Sequence, residues 1–163
     1  VSGIYTEKTY VSCADTAKLV RKSLKAVFPD VVFSVRSKTY SGGASIDVSW
    51  TDGPRTRKVE AIAKRFEGAS FDGMIDLKSS VAREWQGQAV RFGSDFVFCS
   101  RNISNWEEKE AEALAYFLGH YRTEGGKFGG YWIEDCVRGA VRVREDGQTL
   151  AEAFNTWFDP NAR

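Results

Sequence analysis

The segment from residue 31 to residue 50 constrains this chain most, because its pattern is that of a β-hairpin. Two stretches that alternate apolar and polar residues, 31–40 and 44–50, are joined through Ser41-Gly42-Gly43-Ala44, and paired glycines allow the positive φ angles of a two-residue turn. With Gly42 and Gly43 as the loop, Lys38 faces Asp47, Arg36 faces Ser49, Thr39 faces Ile46 and Val35 faces Trp50. Side chains alternate between the faces of a strand. Val35, Ile46, Val48 and Trp50 are therefore expected inside, with Arg36, Lys38, Tyr40, Ser45, Asp47 and Ser49 outside. Asp47 then needs no catalytic or metal-binding role, since it is the cross-strand ion partner of Lys38. A ribbon with one apolar face requires a covering layer.

Helices on both sides of the hairpin supply that layer. From about Ala14 to Phe28, with Ser12 or Cys13 near the start and Pro29 just beyond, Ala17, Val20, Leu24, Val27 and Phe28 recur at spacings of three and four, which marks one helix face. Lys18, Arg21, Lys22 and Lys25 fall on the opposite side. Basic residues one turn apart can follow a row of phosphates or an acidic protein surface. Thr51-Asp52-Gly53-Pro54 turns the chain into a second helix over 55–66, with Val59, Ile62, Ala63 and Phe66 on one face and Arg55, Arg57, Lys58, Lys64 and Arg65 around it. Residues 68–76, with two glycines and two aspartates, read as a structured turn.

These words together resemble a known family. Tyr10-Val11-Ser12-Cys13-Ala14-Asp15-Thr16-Ala17-Lys18, the hairpin from Ser34 to Pro54, Phe66-Glu67-Gly68 and Phe71-Asp72-Gly73-Met74 look like the large polyvalent protein-associated domain, the type numbered 29. The resemblance covers about the first half of the chain, in order. It implies a setting in phages or conjugative elements, whose polyvalent proteins are thought to enter a new host with the DNA and to protect or establish it. It implies no reaction and assigns no catalytic residue. A domain of this type standing without a very long multidomain chain points to a dedicated counter-defence or accessory factor.

Beyond residue 80 the alternation of hairpins and helices continues. Residues 89–92 and 95–100 flank Gly93-Ser94 as a hairpin, and Ser104 with Glu107 fits a capping box opening a helix to about Tyr121, with Glu107, Glu108, Glu110 and Glu112 near the positive end of its dipole. After Gly125-Gly126-Lys127-Phe128-Gly129-Gly130, residues 131–133 and 136–144 read as strands and 150–158 as a short helix stopped near Pro160. As a strand, 136–144 places Val137, Val141 and Val143 on one face and Arg138, Arg142 and Arg144 on the other, a second basic strip.

Chemistry is sparse. Gly125-Gly126-Lys127-Phe128 is no phosphate loop, because Phe128 stands where a hydroxyl should hold magnesium. His120 is the only histidine, which removes a His-rich zinc site, and Cys13, Cys99 and Cys136 are widely spaced; they read as inert buried thiols of a reducing compartment. The best enzyme reading uses Asp52, Asp72 and Asp76 on a divalent ion for phosphodiester hydrolysis, against the habit of turn aspartates of bonding their own backbone. Apolar runs are far shorter than the roughly 20 residues needed to cross a bilayer, so a cytoplasmic place in a bacterial host cell is expected. The net charge of +1 excludes an acidic DNA mimic and a strongly basic nucleic-acid coat, yet residues 1–80 carry net +4 and residues 81–163 net −3.

The chain is thus expected to be α+β, a single domain over 1–163 built from repeated helix plus antiparallel β-hairpin units. A family-like αββα core occupies 11–80 and an additional ββα-ββα portion 81–163. No cofactor and no metal are called for. Its expected function is non-catalytic: docking on a host defence protein, of the anti-CRISPR or anti-restriction type, with Tyr40, Trp106 or Trp132 as aromatic anchors. Nucleic-acid binding by an accessory protein is the alternative, and the metal-dependent phosphodiesterase a second one. The candidate binding residues are Lys18, Arg21, Lys22, Lys25, Arg36, Lys38, Tyr40, Arg57, Lys58, Arg138, Arg142 and Arg144.

Overall fold

The computed structural model describes residues 8–163, and the fold is α+β. In chain order the elements are β1 (Thr9–Val11), α1 (Cys13–Val27), β2 (Ser34–Tyr40), β3 (Gly43–Thr51), α2 (Thr56–Ala63) extended by a 3-10 turn (Lys64–Phe66), β4 (Ala69–Asp72), β5 (Leu77–Ser80), β6 (Arg83–Trp85), β7 (Gln88–Phe92), β8 (Phe96–Asn102), α3 (Trp106–His120), β9 (Lys127–Phe128), β10 (Tyr131–Trp132), α4 (Ile133–Val143) and α5 (Leu150–Phe158). They form two compact units. One holds the chain up to Trp50 with Lys58–Ser100, the other Thr51–Arg57 with Arg101–Arg163.

In the first unit the sheets run β2-β3-β8, β1-β7-β6 and β4-β5. Helix α1 starts where the Ser12 hydroxyl accepts the Asp15 amide, with Asp15 in its first turn and Lys25 in its last, so capping and charge both match the dipole. Ala17, Val20 and Leu24 are buried as the spacing predicts, while Val27 is exposed and Phe28 half-buried. Val20, Leu24, Ile46, Val48, Val59 and Val97 form the aliphatic core, joined by Phe66 stacked at a tilt on Trp85 and Phe92. Each fully buried Val, Leu or Ile contributes about 1.5–3 kcal/mol.

The hairpin forms with its register displaced by two residues. Tyr40 pairs with Gly43, Lys38 with Ser45, Arg36 with Asp47 and Val35 with Val48, so Ser41 and Gly42 are the loop and only Gly42, at φ +88, takes the left-handed region. A shift of two preserves parity. Val35, Ile46, Val48 and Trp50 remain buried, and Lys38 still reaches Asp47, now as a diagonal neighbour. Ser45, expected outside, is buried.

Two other expectations in this unit are corrected. Residues 68–76 are not merely a turn, because β4 and β5 pair antiparallel around a four-residue loop, 73–76. Nor do 89–92 and 95–100 form a hairpin. Strand β7 pairs with β6 through the positive-φ turn Gln86-Gly87 and lies parallel to β1, while β8 joins the other sheet. The reason lies at Gly93-Ser94, which passes the chain between sheets. The Gly93 amide donates to Val11 O, the Ser94 hydroxyl to Phe66 O and the Asp95 amide to Ala44 O.

The second unit is mainly helical, with the tight β9-β10 hairpin between α3 and α4 and a short connection from α4 to α5. Its core sets Ala113, Cys136, Val137, Ala140 and Ala153 beside a cluster of rings in which Phe117, Tyr121, Phe128, Phe154 and Phe158 touch one another. The strand expected at 136–144 is instead helix α4. The buried residues Cys136, Val137, Gly139, Ala140 and Val141 follow the helical period, which packing favours over the strand preference of valine. Gly139 has a packing role, since a Cβ there would lie 2.4 Å from the Trp157 ring. The capping box at Ser104 does not form. Asn105, at φ +50, is the N-cap without a side-chain bond, and the Ser104 hydroxyl goes to Asp52. A full capping box occurs at Thr149 and Glu152, opening α5.

Candidate functional site

The first unit brings its glycine words together around one polar cleft of about 420 Å³, lined among others by Tyr10, Thr39, Lys78, Ser79, Ser80, Arg91 and Asp95. Gly43 and Gly93 line it, and Gly68 precedes the lining residue Ala69. A Cβ on Gly43 would lie 2.2 Å from Asp95 Oδ2, one on Gly93 would lie 2.5 Å from Tyr10 Oη, and one on Gly68 would lie 2.0 Å from Phe92 O. These positions admit glycine because other groups occupy the space a side chain would need. Asp95 accepts the Ala44 amide at 3.1 Å and Lys78 Nζ at 3.0 Å, and Lys78 also donates to Gly42 O at 2.7 Å. One ion pair thus ties β5 to the β2-β3 turn. Tyr10 and Arg91 are paired neighbours on β1 and β7. Sequence reasoning passed over Lys78, Arg91 and Asp95, because it took the glycines for turn formers; the recurrence of unpaired small residues at Gly68 and Gly93 was the available signal.

Beside the cleft stands the β4-β5 arm, in which every residue from Ser70 to Ser80 is exposed. Phe71, Met74, Ile75 and Leu77 are among them, Met74 at 96%. Asp72 shapes the tip by accepting the Met74 amide at 2.9 Å, and Asp76 adopts φ +50. Both aspartates are thereby explained as turn formers.

Of the expected basic face, Lys18 is paired with Asp15 at 3.0 Å and Arg21 donates to Val35 O at 2.8 Å, pinning α1 to β2. Lys22, Lys25, Arg36 and Lys38 are exposed in the same unit, with Lys38 paired to Asp47. Tyr40 is half-exposed, with its ring edge beside Gly43. Lys58 is exposed. Arg57 lies in the second unit, where its guanidinium donates to the carbonyls of Asn161 and Arg163.

The second basic strip does not exist as a strand face. Arg138 pairs with Glu110 at 3.0 Å and Glu134 at 2.8 Å, Arg142 stacks over Trp106, and Arg144 donates to Gln148 O and reaches Glu112 at 3.5 Å. All three guanidiniums already serve the unit's own packing. Trp106 is half-buried and donates to Glu110, while Trp132 is exposed under Lys127.

The second unit also holds Asp52, at φ +56, whose carboxylate accepts the Ser104 amide at 3.0 Å, the Ser104 hydroxyl and Lys109 Nζ at 3.0 Å. Burial pushes its carboxyl up, but the bonds from Ser104 and Lys109 outweigh that and hold it below its ordinary value. Arg101 donates to four carbonyls, those of Asp52, Gly53, Arg142 and Arg144. Both groups are structural ties. Among the described residues no three His, Cys, Asp or Glu side chains gather to hold a metal ion, so the turn aspartates are not brought together. The three cysteines are free. Burial raises the pKa of each thiol, that of Cys99 to about 12, which removes the thiolate a nucleophile needs. His120 is stacked on Tyr116 with Nδ1 2.8 Å from its carbonyl oxygen. Among the described residues no helix is long and apolar enough to cross a membrane.

Most of the first unit, with its cleft glycines and the arm, falls within the part of the chain that a known family describes. Residues 11–104, more than half the chain, match Large polyvalent protein associated domain 29, and the protein belongs to that family. This membership fits a phage or mobile-element context. No curated protein and no solved structure is significantly similar to the chain.

Proposed function

We propose that the protein is a non-catalytic binding protein of a phage or conjugative element that counters or modulates a host defence system by docking on one of its proteins. The β4-β5 arm carries this reading. Its tip displays Phe71, Met74, Ile75 and Leu77 to solvent, and apolar side chains gathered on an exposed element mark interaction sites. Methionine and aromatic side chains are common anchors in such contacts. The family context supports a mobile-element setting, and the exposed Lys22, Lys25 and Arg36 supply charge that orients a partner.

The test is capture from a bacterial lysate with the tagged protein, with and without nuclease, repeated with a Met74→Ser/Ile75→Ser variant. Capture of a defence protein that survives nuclease and is lost in the variant is expected. A nuclease-sensitive catch unaffected by the variant would overturn the reading in favour of nucleic-acid binding, which Lys22, Lys25 and Arg36 alone would then support.

A further inference from the structure

The polar cleft of the first unit holds more hydrogen-bonding capacity than the fold uses. Among the described lining residues the one carboxylate, Asp95, is satisfied by Ala44 and Lys78. Lys78 donates twice, to Asp95 and Gly42, which leaves one of the three ammonium donors. Arg91 offers five donors, and among the described residues neither it nor the hydroxyls of Tyr10, Thr39, Ser79 and Ser80 has a hydrogen-bond or ion-pair partner, although all line the same cleft. Among the described lining residues the charged ones are Lys78, Arg91 and Asp95, a surplus of one cation. Glycine at 43 and 93 keeps the space open, since a Cβ at either would collide with Asp95 or Tyr10.

Hydroxyl donors that line one cleft with a guanidinium match a group that is anionic, compact and rich in acceptor oxygens. Arginine recognises phosphoryl oxygens through paired N–H bonds, which lysine does not reproduce. We propose that this cleft is a binding site for a phosphoryl group, held by Arg91 with the hydroxyls of Tyr10, Thr39, Ser79 and Ser80. The volume of about 420 Å³ lies in the range of small-molecule sites and accommodates a phosphate with the sugar that bears it. The group comes either from a free nucleotide or from the end of a nucleic-acid strand. The site shares the base of β5 with the docking arm, but Arg91 on β7 and the arm's Met74 and Ile75 are different residues, so Arg91→Gln and Met74→Ser/Ile75→Ser test the two readings apart.

The test is isothermal titration of the full chain with inorganic phosphate, AMP, adenosine, and one short DNA strand with and without a 5′-phosphate. Saturable binding of AMP and phosphate but not adenosine is expected, weakened at least about tenfold, or about 1.4 kcal/mol, in Arg91→Gln and only partly restored by Arg91→Lys. Tighter binding of the 5′-phosphorylated strand than of AMP identifies the strand end as the source, and the reverse order the free nucleotide. Arg91 is exposed, so Arg91→Gln should fold, as circular dichroism will verify. Absence of saturable binding, equal binding of adenosine and AMP, or unchanged affinity in folded Arg91→Gln would each overturn the proposal.

Discussion

The two units reach a packed core by different routes. The first sets an aliphatic core between strands and α1, beside a polar cleft lined in part by Gly43 and Gly93. The second is held by contacting rings around Phe117, Tyr121 and Phe154, with Asp52 and Arg101 bonded within the unit, while the buried Arg55 Nε and Trp157 Nε1 have no hydrogen-bond partner among the described residues. The first unit also carries the exposed arm and contains most of the family match.

The contrast is broken most severely at Phe154, fully buried against Phe117, Tyr121 and Phe158. Phe154→Ala should cost about 3–5 kcal/mol, read by denaturant unfolding. Hydrogen exchange of the α3, α4 and α5 amides should lose protection by a matching amount, and unchanged protection there would show that the ring cluster does not hold the unit.

Glycines sharpen the comparison next. Gly139→Ala in α4 should destabilise by about 1–3 kcal/mol, since the added methyl meets the Trp157 ring, despite the better helix propensity of alanine. Gly119→Ala in α3, where nothing lies within 4 Å, should instead stabilise by about 0.5–1 kcal/mol. Thermal unfolding of the two variants distinguishes a packing glycine from a merely permissive one.

Asp52→Asn keeps a side chain that tolerates the left-handed backbone but weakens the bonds from Ser104 and Lys109, at a cost of about 1–2 kcal/mol near neutral pH. The folded-state carboxyl lies below its ordinary value. Its stabilisation is present above the unfolded pKa of about 3.9 and is lost as pH falls through the folded value. Stability measured from pH 6 downward should therefore fall less steeply in Asp52→Asn than in the parent.

What the sequence disclosed follows the same division. Period-two alternation gave the faces of β2 and β3 even with the register off by two, because a two-residue slip leaves Val35, Ile46 and Val48 on the same side. The helical period gave α1 down to Leu24. It did not disclose α4, where three valines favoured a strand and the decisive partner, Trp157, lies eighteen residues after Gly139. The cleft escaped for a similar reason: Tyr10, Lys78, Arg91 and Asp95 meet only through the pairing of β1 with β7 and the Lys78 tie, and no local spacing encodes that. The basic residues were visible, but which of them are engaged was not.

The smallest expected effect on stability comes from the basic face of α1. Lys22 and Lys25 are exposed, and Lys18 makes only an exposed i,i+3 pair with Asp15, a geometry that adds little to stability. Lys18→Glu/Lys22→Glu/Lys25→Glu should therefore leave the fold intact, since each exposed substitution usually stays within about 0.5 kcal/mol. Arg21 is left in place because it fastens α1 to β2 through Val35 O. If these lysines orient the partner that the β4-β5 arm grips, the variant should associate more slowly and lose salt dependence while dissociating at nearly the parent rate. Surface plasmon resonance against the captured partner at two salt concentrations measures both. Unchanged association and salt response in the folded triple variant would show the lysines to be a solvated surface and leave recognition to the arm alone.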